Sequence, residues 1–207
     1  MKSFLEAMQY RHACKVFDPS KEIADENFKQ ILEFGRLSPS SFGMEQWRFK
    51  VIETSELREK LREACWNQAQ ITDASHVVVI CAITTDVKPG SAYVERLFKR
   101  RNLPAEATKI YLEKYAAHHI KEISPRMSTY AWSSKQCYIA LANMMTGAAS
   151  MGIDSCPVEG FTKEAAEKVL GIDTSREEVA VIVTFGYRAG EQTPQLRQGI
   201  DELVEYM

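Results

Sequence analysis

The sequence predicts an α+β or α/β protein built as a single domain over residues 1–207, and three features of its patterning carry that reading. Segments of helical period are interleaved with short strand-like segments throughout, one strand is an uncharged run of mostly β-branched residues, and one helix is apolar around almost its whole circumference. Taken in order, Phe4, Leu5 and Met8 fall at helical spacing and give way to the basic pentad Arg11-His12-Ala13-Cys14-Lys15, placed on a turn or extended segment. Asp25 suits the N-cap of a second helix whose apolar positions are Phe28, Ile31, Leu32 and Leu37, with a stop at Ser38-Pro39. A loop to Gly43 follows, then a half-buried strand from Trp47 to Ile52, and a third helix capped by Ser55 that reaches Cys65. His76 to Ile83 reads as a fully buried strand. The stretch from about 85 to 127, charged and broken by Pro89, Gly90, Pro104 and Pro125, reads as an excursion over the core. Trp132 to Met151 is the all-round apolar helix, which a single chain of 23.5 kDa covers with difficulty and a dimer more easily. Asp154–Val158 and Val179–Phe185 supply two more strands, separated by a short helix capped by Thr162 and stopped at Gly171.

Composition limits the function classes. With 26 basic and 28 acidic side chains the formal charge is −2, so the chain has no overall basic field to steer it to nucleic acid or anionic lipid. Its five cysteines form no C-x-x-C pair and their number is odd, which points to a reducing, cytoplasmic setting. Glu6 interrupts what would be the apolar core of a secretory signal. The uncharged stretch from Gln136 to Ile153 contains Gln136, Asn143, Thr146 and Ser150 and reads as a buried helix, not a membrane span.

Neither G-x-G-x-x-G nor a P-loop is present, so a bound phosphate needs side-chain cations. Arg11, His12 and Lys15 could supply them, or form a solvated turn. His118, His119 and Glu122 make an incomplete metal set, because adjacent histidines point to different faces. His76 reads as a core histidine, and Cys14 as a structural thiol whose basic neighbours would lower its pKa. Arg96, Lys99, Arg100 and Arg101 form a solvated helix face or attract a dinucleotide phosphate.

Together, several segments resemble the FMN-dependent NAD(P)H nitroreductase family: Arg11-His12-x-x-Lys15-x-Phe17, Ser38-Pro39-Ser40-Ser41 followed by Trp47, Asn67 before Asp73-Ala74-Ser75-His76, and Pro157-Val158-Glu159-Gly160-Phe161. Trp132-x-x-Lys135-Gln136-x-Tyr138 and Gly147-Ala148-Ala149-x-Met151-Gly152-Ile153-Asp154 look like that family's long interface helix. The resemblance implies an α+β, three-layer α/β/α fold with a central mixed sheet, in an intertwined homodimer holding FMN between its subunits. It places Arg11, His12, Ala13, Cys14 and Lys15 in the flavin-binding amino-terminal segment, Arg11 toward the phosphate and Lys15 toward the pyrimidine edge. Pro39, Ser40 and Ser41 match a loop contributed by the partner subunit, and Asn67 a polar contact to the ring. Pro157, Val158, Glu159 and Gly160 match the turn whose amides face the flavin, and Arg197 a carboxy-terminal phosphate ligand. The chain departs from the pattern at Gly43, where an Asn is common, and at Gln70 and Gln195, where lysines are common. Its implied chemistry is hydride transfer from NADH or NADPH through the flavin to a nitroaromatic, quinone or similar acceptor, with no catalytic acid or base and no metal. A dehalogenase or other flavin reductase of the same superfamily, a non-catalytic flavin carrier, and a helical interaction protein are the alternatives.

Overall fold

The structure is a computed structural model that describes residues 1–207. Its helices are α1 (Phe4–Tyr10), α2 (Asp25–Arg36), α3 (Ser55–Ala64), α4 (Gln70–Asp73), α5 (Ala92–Lys99), α6 (Ala105–His118), α7 (Thr129–Ser150) and α8 (Lys163–Leu170). Four strands, β1 (Trp47–Val51), β2 (His76–Ile83), β3 (Asp154–Val158) and β4 (Glu177–Gly186), form one sheet in the order β1-β2-β4-β3.

Every strand pair is antiparallel, which corrects the expectation of a mixed sheet; the parallel element is confined to a lone bridge from Ala13 to Ser155 on β3. Ile80 pairs with Val181 and Cys81 with Val179, so Ala180 is the extra residue of a bulge that resets which side chains of β4 face which layer. On one face, Val78, Ile80, Val183 and Phe185 pack against Ile31 of α2 and Ala140, Leu141 and Met144 of α7. On the other, Val77, Val79 and Ile182 meet Leu61 of α3, Ile71 of α4 and Ala166 of α8. Three layers result, and full burial of each large aliphatic side chain contributes roughly 1.5–3 kcal/mol to holding them together.

Ser128 starts α7 by accepting the Ala131 N–H at 3.1 Å, and Gly152, at φ +78°, turns the chain out of it. α2 crosses α7 where Phe34 lies over Gly147, a position at which any Cβ would collide with the ring. The covered face of α7 includes Trp132, Cys137, Ala140, Met144 and Ala148, while Tyr138 and Ile139 remain 38% and 37% exposed. Beneath the charged excursion, Tyr93, Leu97, Phe98 and Tyr115 form a smaller core that closes on Trp132. No helix is long and apolar enough to cross a membrane.

Local expectations fail at three points, and α1, though it forms where expected, is exposed. Ala24, not Asp25, occupies the N-cap of α2; Asp25 and Glu26 lie in the first turn, where their charge complements the helix dipole. Thr54, not Ser55, caps α3 by accepting the Leu57 N–H at 3.3 Å. Leu37 lies beyond the end of α2 and is 64% exposed. Phe4 and Leu5 of α1 are 76% and 66% exposed, so that helix presents its apolar side outward.

Candidate functional site

Four segments distant in sequence meet at the β3 edge of the sheet. The basic pentad runs extended there: Ala13 bridges Ser155, and the Cys14 N–H donates to Ser155 O at 3.0 Å. Lys15 thereby reaches the Cys156 sulfur, whose pKa is raised by burial and drawn back by the Lys15 charge. Gln70, at the start of α4, is buried and approaches the same sulfur at 3.9 Å. From the carboxy-terminal segment, the Gln195 amide donates to the carbonyls of Met8, at 3.0 Å, and Arg11. The two positions where the resemblance expects lysines therefore serve here as tethers: Gln70 within the site's wall, Gln195 holding Arg197 near Arg11.

The electrostatics divide these cations into two groups. Arg188 pairs with buried Asp154 at 2.6 Å and stacks on Tyr10 at 4.3 Å, and the Arg188 N–H donates to the same carboxylate at 2.9 Å. His12 turns inward to this node, with Nδ1 3.8 Å from Asp154, and burial together with the Arg188 charge lowers its pKa. Arg11, Lys15 and Arg197, by contrast, have no carboxylate within ion-pair distance. The Arg11 pKa is lowered by burial and then by the nearby Arg197 charge, the mark of two cations held together without an anion of the protein between them. Cys14 is a structural thiol as expected, but its basic neighbours do not lower its pKa: it is buried, donates to Val16 O, and its pKa is pushed up to about 11 by burial and then by Asp154.

Above the cations lies the turn that leaves β3. The Phe161 N–H donates to Glu159 O at 2.9 Å, closing a three-residue turn around Gly160, while neither the Glu159 nor the Gly160 N–H finds an acceptor in the chain. Asn67 is exposed and lies, with Trp66, in the left-handed region at φ +57° and +55°, a corner that Asn tolerates and Trp rarely adopts. That corner leaves Trp66 66% exposed yet lays its ring edge against Gly160, where an added Cβ would come within 2.9 Å of the ring and of the Gln68 amide nitrogen. Pro157 is half-buried and Val158 buried in β3. Sequence reasoning gave no site role to Trp66, Gln68, Tyr138 or Cys156. An aromatic residue and two amides flanking Asn67 were the available signal.

Other candidates lie apart. Pro39, Ser40 and Ser41 share no hydrogen bond with the four segments: the Ser41 N–H donates to Gln136 Oε1 and Ser40 Oγ accepts the Glu45 N–H, each at 2.9 Å. His119 is buried against Trp132, His118 lies beside Phe42, and no group of three or more His, Cys, Asp or Glu comes together to hold a metal. Arg100 is paired with Glu45 at 2.5 Å, and Arg101 donates to Phe42 O at 2.6 Å while covering the Phe98 ring, so the two arginines just past α5 fasten the excursion down. His76 stacks on Phe28 at 3.8 Å and bonds Ser75 Oγ at 2.9 Å. It lines a groove of about 840 Å³ between α2 and α3, rimmed by Glu22, Asp25, Glu53 and Glu59 together with Lys29 and Arg58, that shares no residue with the β3 site.

Fold and site thus define an α+β protein whose sheet edge gathers unneutralised cations beside free backbone donors, a donor set that fits an aromatic phosphate ligand such as FMN. The nitroreductase family model matches residues 8–187, and the chain belongs to that family. It is 40% identical to the Bacillus subtilis protein named "Putative NAD(P)H nitroreductase YfkO", over 98% of this chain and 96% of that one. Among solved structures it is similar to the nitroreductase-type protein YdfN of Bacillus subtilis (TM-score 0.87, 21% identity, 99% of this chain and 98% of that one). It is also similar to a nitroreductase-type protein of Exiguobacterium sibiricum solved in complex with FMN (TM-score 0.82, 21% identity, 100% and 98%). At that identity the structural likeness speaks for the fold.

Proposed function

We propose that this chain is an FMN-dependent oxidoreductase that uses NADH or NADPH to reduce a nitroaromatic, quinone or related small-molecule acceptor. The observation that carries the reading is the convergence of Arg11, Lys15 and Arg197 without a carboxylate partner. Arg11 and Arg197 would grip the phosphate, where a guanidinium fork matches two oxygens at once. Lys15 would sit at the pyrimidine edge, and the open N–H groups of Glu159 and Gly160 would donate to the ring. FMN, when bound, would supply the two-electron hydride chemistry that links nicotinamide to acceptor in a ping-pong scheme. The chain's own part is to bind and orient the ring and to set its redox balance, with no side chain acting as acid or base.

A homodimer belongs to the same reading. Pro39, Ser40 and Ser41 lie outside the β3 site of their own chain, as a loop serving the other subunit's flavin would. The exposed apolar strip of Phe4, Leu5, Leu37 and Ile139, with Leu196, Ile200 and Leu203 of the carboxy-terminal segment, would be covered by the second copy. Anaerobic titration of the FMN-treated protein with each nucleotide, followed by reoxidation with nitroaromatic and quinone acceptors, tests the activity. Light scattering on the same sample tests the dimer. A protein that takes up no FMN refutes the reading.

A further inference from the structure

The turn at Glu159–Gly160 has both backbone carbonyls engaged and both backbone donors open. Glu159 O takes the Phe161 N–H at 2.9 Å, Gly160 O takes Gln68 Nε2 at 2.7 Å, and the Glu159 carboxylate takes the Tyr138 hydroxyl. Since a planar trans peptide points its C=O and N–H in opposite directions, turning Glu159 O back onto Phe161 sends the Gly160 N–H the other way. The Gln68 amide has one workable orientation, because Nε2 also donates to Cys65 O at 3.1 Å and two carbonyls can face only the nitrogen. Its oxygen accepts from buried Gln70 at 2.8 Å, and Gln70 reaches Cys156, beside which Lys15 lies. On the opposite flank, Tyr138 projects from α7, so the turn is held from two separate layers of the fold.

Resting on the flavin reading above, we propose that Gln68 and Tyr138 are positioning residues that clamp this turn so that its two unpaired N–H groups form a fixed donor pair for the flavin ring. Neither side chain touches the reacting atoms. Gln68 fixes the Gly160 carbonyl and, through Gln70, couples the turn to the segment that carries Lys15; Tyr138 fixes the Glu159 side chain.

The test uses Gln68→Met, which keeps the length of the side chain without its donors, and Tyr138→Phe. In the flavin-free full-length protein, hydrogen exchange reads the Phe161 amide, the turn's internally bonded N–H. It should exchange about tenfold faster in Gln68→Met, the loss expected for one hydrogen bond, while the amides of β2 keep their unsubstituted rates. With FMN, affinity measured by flavin fluorescence should fall about tenfold for Gln68→Met and about threefold for Tyr138→Phe, and the visible absorption band of the bound flavin should shift. Unchanged exchange at Phe161 overturns the clamp. Faster exchange with unaltered affinity and spectrum overturns its link to the flavin. Failure of the unsubstituted protein to bind FMN overturns the flavin reading and this proposal with it, a result seen before any variant is made.

Discussion

Arg188 stacks on Tyr10, the residue before Arg11, yet the two arginines are treated in opposite ways. Arg188 is pressed onto the buried Asp154 carboxylate, with Tyr10 under its plane and His12 at its side. Arg11, four residues before the extended segment ends at Lys15, is half-buried beside a second guanidinium and has no anion near it. Burying a cation without compensation costs stability, so the second arrangement persists only where the fold is stable enough to carry it. Comparing the two separates a cation neutralised within the fold from one that the proposed function assigns to a ligand, a distinction that sequence position alone does not make.

The largest expected effect breaks the first half of that comparison. Arg188→Met should destabilise the fold by about 3 kcal/mol, read by urea unfolding, because Asp154 is then buried without its counter-charge. The paired substitution Arg11→Ala and Arg197→Ala should do the reverse: unfolding stability is kept or slightly raised as the like-charge contact disappears, while FMN affinity falls roughly a hundredfold or more at two charged hydrogen bonds lost. Equal losses of stability in the two variants would abolish the distinction. Lys15→Ala sharpens it further, since a cation about 4 Å from the reduced ring at an effective dielectric near 20 contributes roughly 4 kcal/mol, which limits the fall in midpoint potential to about 90 mV. An unchanged potential in the FMN-loaded variant would remove Lys15 from that role.

The smallest effect is on pH. His12, His76 and His119 all have pKa values lowered from 6.5, burial being the largest cause in each. Between their folded values and 6.5 the unfolded chain binds more protons, so the contribution of neutral histidine is complete above pH 6.5 and is lost as pH falls through the window below it. Unfolding measured from pH 7.5 down to 5 should therefore show declining stability. Arg188→Met should shallow the His12 share of that decline, because the Arg188 charge is the second cause of its depression.

Patterns with a short repeat were legible in the sequence. β2 and β3 run over the residues their composition marks out, and α7 occupies the segment that is apolar on nearly all sides. The basic pentad and the 157–160 turn were legible as motifs, and the fold brings them to the same sheet edge. What stayed hidden depends on partners far along the chain. Nothing near His12 announces Asp154, and nothing near Cys14 shows that burial outweighs its basic neighbours in setting the thiol's pKa. Gln70 and Gln195 read as lost charges until their amides are seen reaching Cys156 and the Arg11 carbonyl, far along the chain. Leu37 read as one of the apolar positions of α2, yet nine residues after Phe28 it falls on the opposite side of the helix from Phe28 and Ile31 and is exposed.

The bridge between Ala13 and Ser155 also bears on how the sheet ends. β3 is an outer strand, and bare outer strands invite pairing with other molecules in runaway aggregation. Here the segment carrying Arg11 and Lys15 lies along that rim, and Pro157 offers no amide hydrogen to a newcomer. The same few residues that gather positive charge thus also cover part of this rim against a newcomer strand.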